Sequence, residues 1–345
     1  MAPQEARRNF VQTIASVAEK HGLEFSSHSH DWILQVRDKV SGKQCSIFGY
    51  TFDANPAAAV EICKEKAATS LVLDSHGVAH HVFLSPANPF TANYVPKGGM
   101  WAPVQEVVNK HGFPIVVKPL KGTGGLDVTK ATCWREAEAA VQHIFSREYG
   151  LAVCPYKPVV DEYRCICLEH EVQLTYRKVR SSVTGDGERS VGALLGQRLS
   201  SASPQEAAGL VAAAAELRPE DLAKVPGKGE ASALQWKHNL GQGASVDLKV
   251  PKDMAARLAE VASSASRAIG MCFCSVDIIE VEKEGLMVME VNGGVMMDSL
   301  MEQLGDSGKA LAFRLYEKQW PLGVERAISA RAVSTDAIPS HRWQT

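Results

Sequence analysis

Long apolar runs are missing from this chain of 345 residues, and none approaches the roughly 20 residues that a membrane span requires. The first 25 residues alternate charged and apolar positions at helical spacing, without the apolar stretch or cleavage site of a secretory leader. Charge of one sign is scarce too. A net charge of -2 offers no electrostatic footprint for nucleic acid or a membrane surface. The eight cysteines include no C-x-x-C pair. Cys165/Cys167 and Cys272/Cys274 lie in apolar, strand-like segments, which reads as reduced, buried thiols in a cytoplasmic protein. The histidine pairs Ser27-His-Ser-His30 and His80-His81 lack a third ligand nearby, which argues against zinc. Neither a G-x-S-x-G elbow nor the Walker pattern G-x-x-x-x-G-K-[ST] occurs, so hydrolase and P-loop readings fall away.

With 45% apolar and 22% charged residues, the chain is an ordinary globular sequence, long enough for two or three lobes. Periodicity predicts a helix over 8–22, strands over 32–36 and 45–48, and a helix over 55–76 capped by Asp53 or Asn55. A strand, a glycine loop and a second strand follow over 112–128, then an alanine-rich helix from about Trp134 to Arg147. Residues 163–179 read as two strands joined at Glu169-His170. Ser203-Pro-Gln-Glu206 is a capping box opening another helix, and a further helix spans Asp253 to about Ile269. Beyond about Val324 the apolar pattern fades, as in a loosely held tail.

The most informative stretch follows that helix. Cys274-Ser-Val-Asp-Ile-Ile-Glu-Val281 and Leu286-Met-Val-Met-Glu-Val-Asn292 read as a hairpin with a four-residue turn, Glu282-Lys-Glu-Gly285. If Val281 faces Leu286, Asp277 faces Glu290 and Asn292 shares their side of the sheet. Adjacent carboxylates repel unless a cation separates them, and an all-oxygen set suits Mg2+ or Mn2+. Upstream, Lys118 and the loop Gly122-Thr-Gly-Gly125 place an ammonium group beside flexible backbone amides, a cradle for phosphate oxygens. Alone, such a glycine hairpin is more often a structural turn; the downstream carboxylates shift the balance. Lys237-His-Asn239-Leu-Gly-Gln-Gly243 adds a cation, an amide and glycines.

Taken in order, these pieces resemble the ATP-grasp superfamily, and within it the carboxylate-amine ligase branch that includes cyanophycin synthetase and glutathione-forming ligases. Lys66 and the residues to Val78 look like the family's lysine-bearing helix, and Phe113 to Gly125 like its second lysine strand and mobile phosphate-covering loop. Val153 to Arg164 looks like the hinge around adenine, Tyr176 to Gly187 and Lys237-His-Asn239 like two further stretches of the branch. The resemblance implies an α+β ATP-grasp fold: a short N-terminal α/β lobe (1–65), a central lid subdomain (66–153), a C-terminal antiparallel-sheet lobe with a metal site (154–325), and a tail (326–345).

It implies ATP held by Lys66, Lys118, Gly122, Thr123, Gly124, Gly125, Pro155, Tyr156 and Glu162, the last on the ribose. Two Mg2+ or Mn2+ ions would sit on Asp277, Glu290 and Asn292. Lys118, Arg164, Lys178 and Lys237 would steady the substrate carboxylate and the developing charge. The implied reaction joins a small carboxylate to a small amine through an acyl phosphate, releasing ADP; a kinase, or a nucleotide-binding regulator without turnover, stays open. The chain departs from the pattern where Pro155 replaces an acid, where Lys178 and Lys237 replace arginines, and at Gly293-Gly294-Val-Met-Met297 after the metal strand. A homodimer is the common symmetric assembly.

Overall fold

The computed structural model describes residues 7–81, 101–122, 124–147, 150–215 and 217–332. They form two compact units, one made of residues up to Pro56 together with those from Gly294 onward, the other of Ala57–Gly293. The division differs from the one expected at residue 65, because the first segment packs with the C-terminal helix rather than standing alone.

In the first unit, helix α1 (Asn9–Lys20) packs on the antiparallel sheet β1 (Glu24–His28), β2 (Ile33–Arg37), β3 (Gln44–Phe48) and β4 (Thr51–Phe52), joined in that order. A C-terminal helix, Asp298–Ala332, completes it and bends at Gly305, whose φ is 57°. Phe10, Phe52 and Tyr316 meet ring to ring in its core, with centroids 5.2 to 6.2 Å apart. The tail expected from 326 is helical as far as Ala332. The expected strands are β2 and β3; β1 and β4, short and half-exposed, gave too weak an alternation to find.

The second unit begins with α2 (Ala57–Lys64) and α3 (Lys66–Ser75). One continuous helix over 55–76 was expected; instead the backbone is extended at Glu65 (φ -112°, ψ 112°) and a second helix starts at Lys66. Asp53, an expected cap, instead accepts from the Ser46 amide and the Cys45 thiol. Helix α4 (Ala102–His111) leads to β5 (Ile115–Pro119), β6 (Thr129–Ala131), α5 (Trp134–Phe145) and β7 (Leu151–Pro155), in which β5 is the central strand of a three-stranded sheet. The apolar stripe of α5 closes this core through Ala137, Val141 and Ile144.

Next come β8 (Val159–Leu168) and β9 (Glu171–Val179), turned at Glu169 and His170, both of positive φ. After β10 (Ser182–Thr184) lie α6 (Val191–Ser201), α7 (Pro204–Ala214), α8 (Pro219–Leu222) and β11 (Ala231–Ala233), which share a small core of their own around Val183, Leu194 and Leu210. Ser203 caps α7 by accepting from the Glu206 amide, as its motif foretells. Finally β12 (Ser245–Asp247), α9 (Lys252–Ile269), β13 (Phe273–Val281) and β14 (Gly285–Asn292) complete a five-stranded antiparallel sheet in the order β12-β9-β8-β13-β14. Strand β13 is central and buried along almost its whole length, and α9 covers one face with Leu258, Ala262 and Ala265.

Candidate functional site

The β13–β14 hairpin carries the chemistry, and its register has a twist. Val281 pairs with Gly285 rather than Leu286, so the turn is Glu282–Glu284 and one residue shorter than expected. An irregularity between Asp277 and Ile278 then leaves Met289 as an extra residue on β14, and the pairing recovers: Asp277 faces Glu290 and Ser275 faces Asn292. The three oxygen donors therefore do lie on one side of the hairpin. The bulge sits at the site itself, where it redirects Met289 toward Val116, Cys154, Tyr156 and Trp236.

Strand β8 lies on the other flank of β13 and places Arg164 opposite Asp277. The guanidinium grips the carboxylate with two hydrogen bonds, Nε to Oδ1 and Nη2 to Oδ2, each 2.7 Å. Lys178, on β9 opposite Glu162, reaches Asp277 Oδ2 at 2.9 Å and Glu162 Oε1 at 2.6 Å. Burial alone opposes ionisation of Asp277, but Arg164 and Lys178 overcome it and hold its carboxyl well below the usual carboxylate range. Burial and the neighbouring Arg164 likewise oppose the charge on Lys178, and Asp277 and Glu162 outweigh them. Glu162, whose carboxyl burial pushes up, faces Lys178 rather than open space. Two of the cations expected to hold substrate, Arg164 and Lys178, and the acid expected on the ribose, Glu162, thus share one buried network with Asp277.

Beside this buried network, an open cleft borders the hairpin at Glu290. The break at Glu65 brings Lys66 to the glycine loop, where its Nζ donates to the Gly122 carbonyl at 3.1 Å and lies 3.7 Å from Glu290. Burial and the nearby Lys118 lower its affinity for a proton, with Glu290 working the other way. Lys66, Lys118, Gly122, Gly124, Gly125 and Glu290 line a single open cleft of about 360 Å³, together with Pro119, Leu126 and Val128. Thr123 lies outside the described residues. Lys237 is buried, with its ammonium 5.6 Å from the centre of the Trp236 ring.

At the hinge, Tyr156 donates its amide to the Pro114 carbonyl, and the Pro155 carbonyl accepts from His81 Nε2 at 3.0 Å. His81 was noted only as half of a pair too small for zinc and His238 only within the Lys237-His-Asn239 stretch, while Trp236 went unnoticed; each is placed by packing with residues far away in sequence. Burial drives both imidazoles down, His81 with help from Lys118 and His238 from Arg180 and Lys178, each to about 3. His238 Nδ1 stands 3.7 Å from Glu162. In the unfolded chain both rings protonate near 6.5. Their contribution is full above that pH and declines as pH falls from 6.5 toward 3, since only the unfolded chain takes up the protons. Two such groups steepen the acid side of the stability curve by up to about 2.7 kcal/mol per pH unit. Urea unfolding from pH 7 to 4 should show His81→Phe and His238→Phe each flattening that slope; an unaltered slope in both would contradict neutral burial.

Among the described residues no cluster of three or more His, Cys, Asp or Glu side chains could hold a metal ion. The oxygen set Asp277, Glu290 and Asn292 includes an amide and is hard in character. Glu290 and Asn292 fit Mg2+ or Mn2+, while Asp277 can join them only by sharing a carboxylate already held by two cationic groups. No helix among the described residues is long and apolar enough to cross a membrane. Seven of the cysteines are buried; Cys133 is exposed, against the expectation of uniformly buried thiols.

The fold is similar to that of two solved ligases. No protein-family model matches the sequence. Over 190 residues, 54% of this chain, the sequence is 26% identical to cyanophycin synthetase from Nostoc sp.. The chain spans about a fifth of that relative's length, 19%. The structure is similar to D-alanine–D-alanine ligase from Bacillus anthracis, with a TM-score of 0.51, 13% identity, and coverage of 81% of this chain and 72% of the other. A bifunctional glutathione synthetase from Pasteurella multocida matches with a TM-score of 0.55 at 18% identity, over 91% of this chain and 44% of that one.

Proposed function

We propose that the chain is an ATP-dependent carboxylate-amine ligase that forms an amide bond between small amino-acid or peptide substrates, releasing ADP and phosphate. The observation that carries this reading is the single cleft in which Lys66, Lys118, the glycine loop and Glu290 converge. Such a set suits a polyphosphate with its cation far better than an uncharged ligand. Similarity to cyanophycin synthetase, glutathione synthetase and D-alanine–D-alanine ligase supports the ligase class.

Lys66 and Lys118 bind phosphate oxygens from two sides, and the backbone of Gly122, Gly124 and Gly125 covers them. The loop keeps water from the acyl phosphate made when a substrate carboxylate attacks the terminal phosphorus. Glu290 and Asn292, with Asp277 opposite, would hold the magnesium or manganese, two ions in this reading, which would supply positive charge against the phosphates. Val116, Cys154, Tyr156, Trp236 and Met289 offer an apolar seat for the base. Lys237 and Arg180 remain as candidate holders of the substrate carboxylate, and Arg164 and Lys178 act within the network around Asp277.

Lys118→Ala should weaken ATP binding about 10- to 100-fold, the worth of one charge-assisted contact, when measured by calorimetry. Unchanged affinity would remove the β5 lysine from the site. The class itself is tested by Mg2+-dependent ADP release with a panel of amino acids and dipeptides, mass spectrometry of products, and hydroxylamine as a trap. One ADP per amide formed establishes the ligase. A phosphorylated product indifferent to amines makes the protein a kinase, and ATP binding without turnover makes it a regulator.

A further inference from the structure

The glycine loop does not stand free over its cleft. Asn239 donates its side-chain amide to the Gly124 carbonyl, and its Oδ1 accepts from the Gly241 amide at 2.9 Å, so one side chain both caps its own turn and holds the loop. The contact is close enough that a Cβ on Gly125, itself at φ 69°, would lie 2.7 Å from Asn239 Nδ2. Only glycine fits there.

The turn that carries Asn239, the 3-10 segment Leu240–Gln242 and Gly243, is anchored on several sides. Gln235 Nε2 donates to the Gln242 carbonyl at 2.8 Å, and the Ser181 hydroxyl donates to the Gly243 carbonyl. From α7, the backbone of Gly209 touches that of Gly243 directly: a Cβ on Gly209 would lie 3.1 Å from Gly243 Cα, and one on Gly243 would overlap the Gly209 carbonyl. Helix α7 is in turn fixed through Leu210 to the small core it shares with α6 and β11. A continuous line of contacts therefore runs from α7 through Gly209, Gly243 and Asn239 to Gly124.

We infer that Asn239 is a positioning residue for the glycine loop, latching it closed through Gly124, and that α7 sets the latch by pressing Gly209 against Gly243. The inference rests on the reading of residues 122–125 as a phosphate cover. One hydrogen bond suits the task, because its loss changes an opening equilibrium by only a few-fold to about tenfold, which leaves the loop able to admit nucleotide.

Trypsin offers the test, since Lys121 is exposed beside the latch. The rate of cleavage after Lys121 is followed by mass spectrometry in the full chain without nucleotide, with cleavage after Lys283 in the β13–β14 turn as internal reference. Asn239→Asp keeps the acceptor for Gly241 and loses the donor for Gly124. It should be cut after Lys121 about tenfold faster, with the rate after Lys283 unchanged. Gly209→Ala should move the same rate in the same direction, while Gly196→Ala, on α6 with nothing within 4 Å of the added Cβ, should match the wild type. A wild-type rate after Lys121 in Asn239→Asp overturns the latch. Should Gly209→Ala also be cut faster after Lys283, it has unfolded and Asn239→Asp decides alone. Calorimetry with a non-hydrolysable ATP analogue separates the two readings: no binding by the wild type defeats the proposed function, whereas the latch is read with no nucleotide present.

Discussion

Asp277→Ala should destabilise the second unit by about 3–5 kcal/mol, the usual consequence of removing one partner from a buried ion pair. Asp277 is 3% exposed, and both its oxygens hold cationic donors. Truncation leaves Arg164 and Lys178 facing one another in a mostly buried place, with Glu162 as the remaining anion. Urea unfolding should register the loss as a lower midpoint at unchanged slope. Pairing the change with Lys178→Met should recover part of the loss, because the second substitution removes one of the stranded charges, and the two effects should be far from additive. A loss below about 1 kcal/mol would mean that the network contributes no more than an exposed ion pair.

The same residue shows how far the sequence could be read. Alternation along two apolar strands was enough to place Asp277 opposite Glu290, even though the turn is a residue shorter than expected and a bulge at Met289 restores the pairing. Bulges leave no local trace, since they change which residues pair and not which residues are apolar. That Lys118 and the glycine loop line one cleft was legible, because those residue types stand close together in the chain. The break at Glu65, which puts Lys66 in reach of Gly122, was not, because the apolar spacing of α2 runs on into α3 and tertiary contact decides where the helix stops. The partners of Arg164 and Lys178 were hidden for a related reason. Those residues lie on β8 and β9, and their carboxylate lies on β13, 113 residues from Arg164 and 99 from Lys178, so only strand order brings them together. Seen in sequence, each was a free cation beside a candidate substrate; within the sheet each already has an anion.

Glu290→Gln should fail in the opposite manner. Its side chain is 30% exposed and its nearest cation, Lys66, stands 3.7 Å away, so the amide should cost no more than about 1 kcal/mol in stability. What it removes is a negative charge facing the cleft beside Asn292, the charge that would hold a hard cation against the phosphates. Mg2+-dependent ADP release should fall about 100- to 1000-fold, the scale on which loss of one electrostatic contact to a reacting phosphate is felt. Manganese affinity, followed by electron paramagnetic resonance in the presence of ADP, should fall in parallel, while the urea midpoint stays close to wild type. Near-normal turnover with unchanged manganese binding would sink the assignment of the cation to this face. On the expected result, two carboxylates paired across one hairpin separate by environment alone: Asp277, enclosed between Arg164 and Lys178, maintains the sheet, and Glu290, opening onto the cleft, would serve the nucleotide.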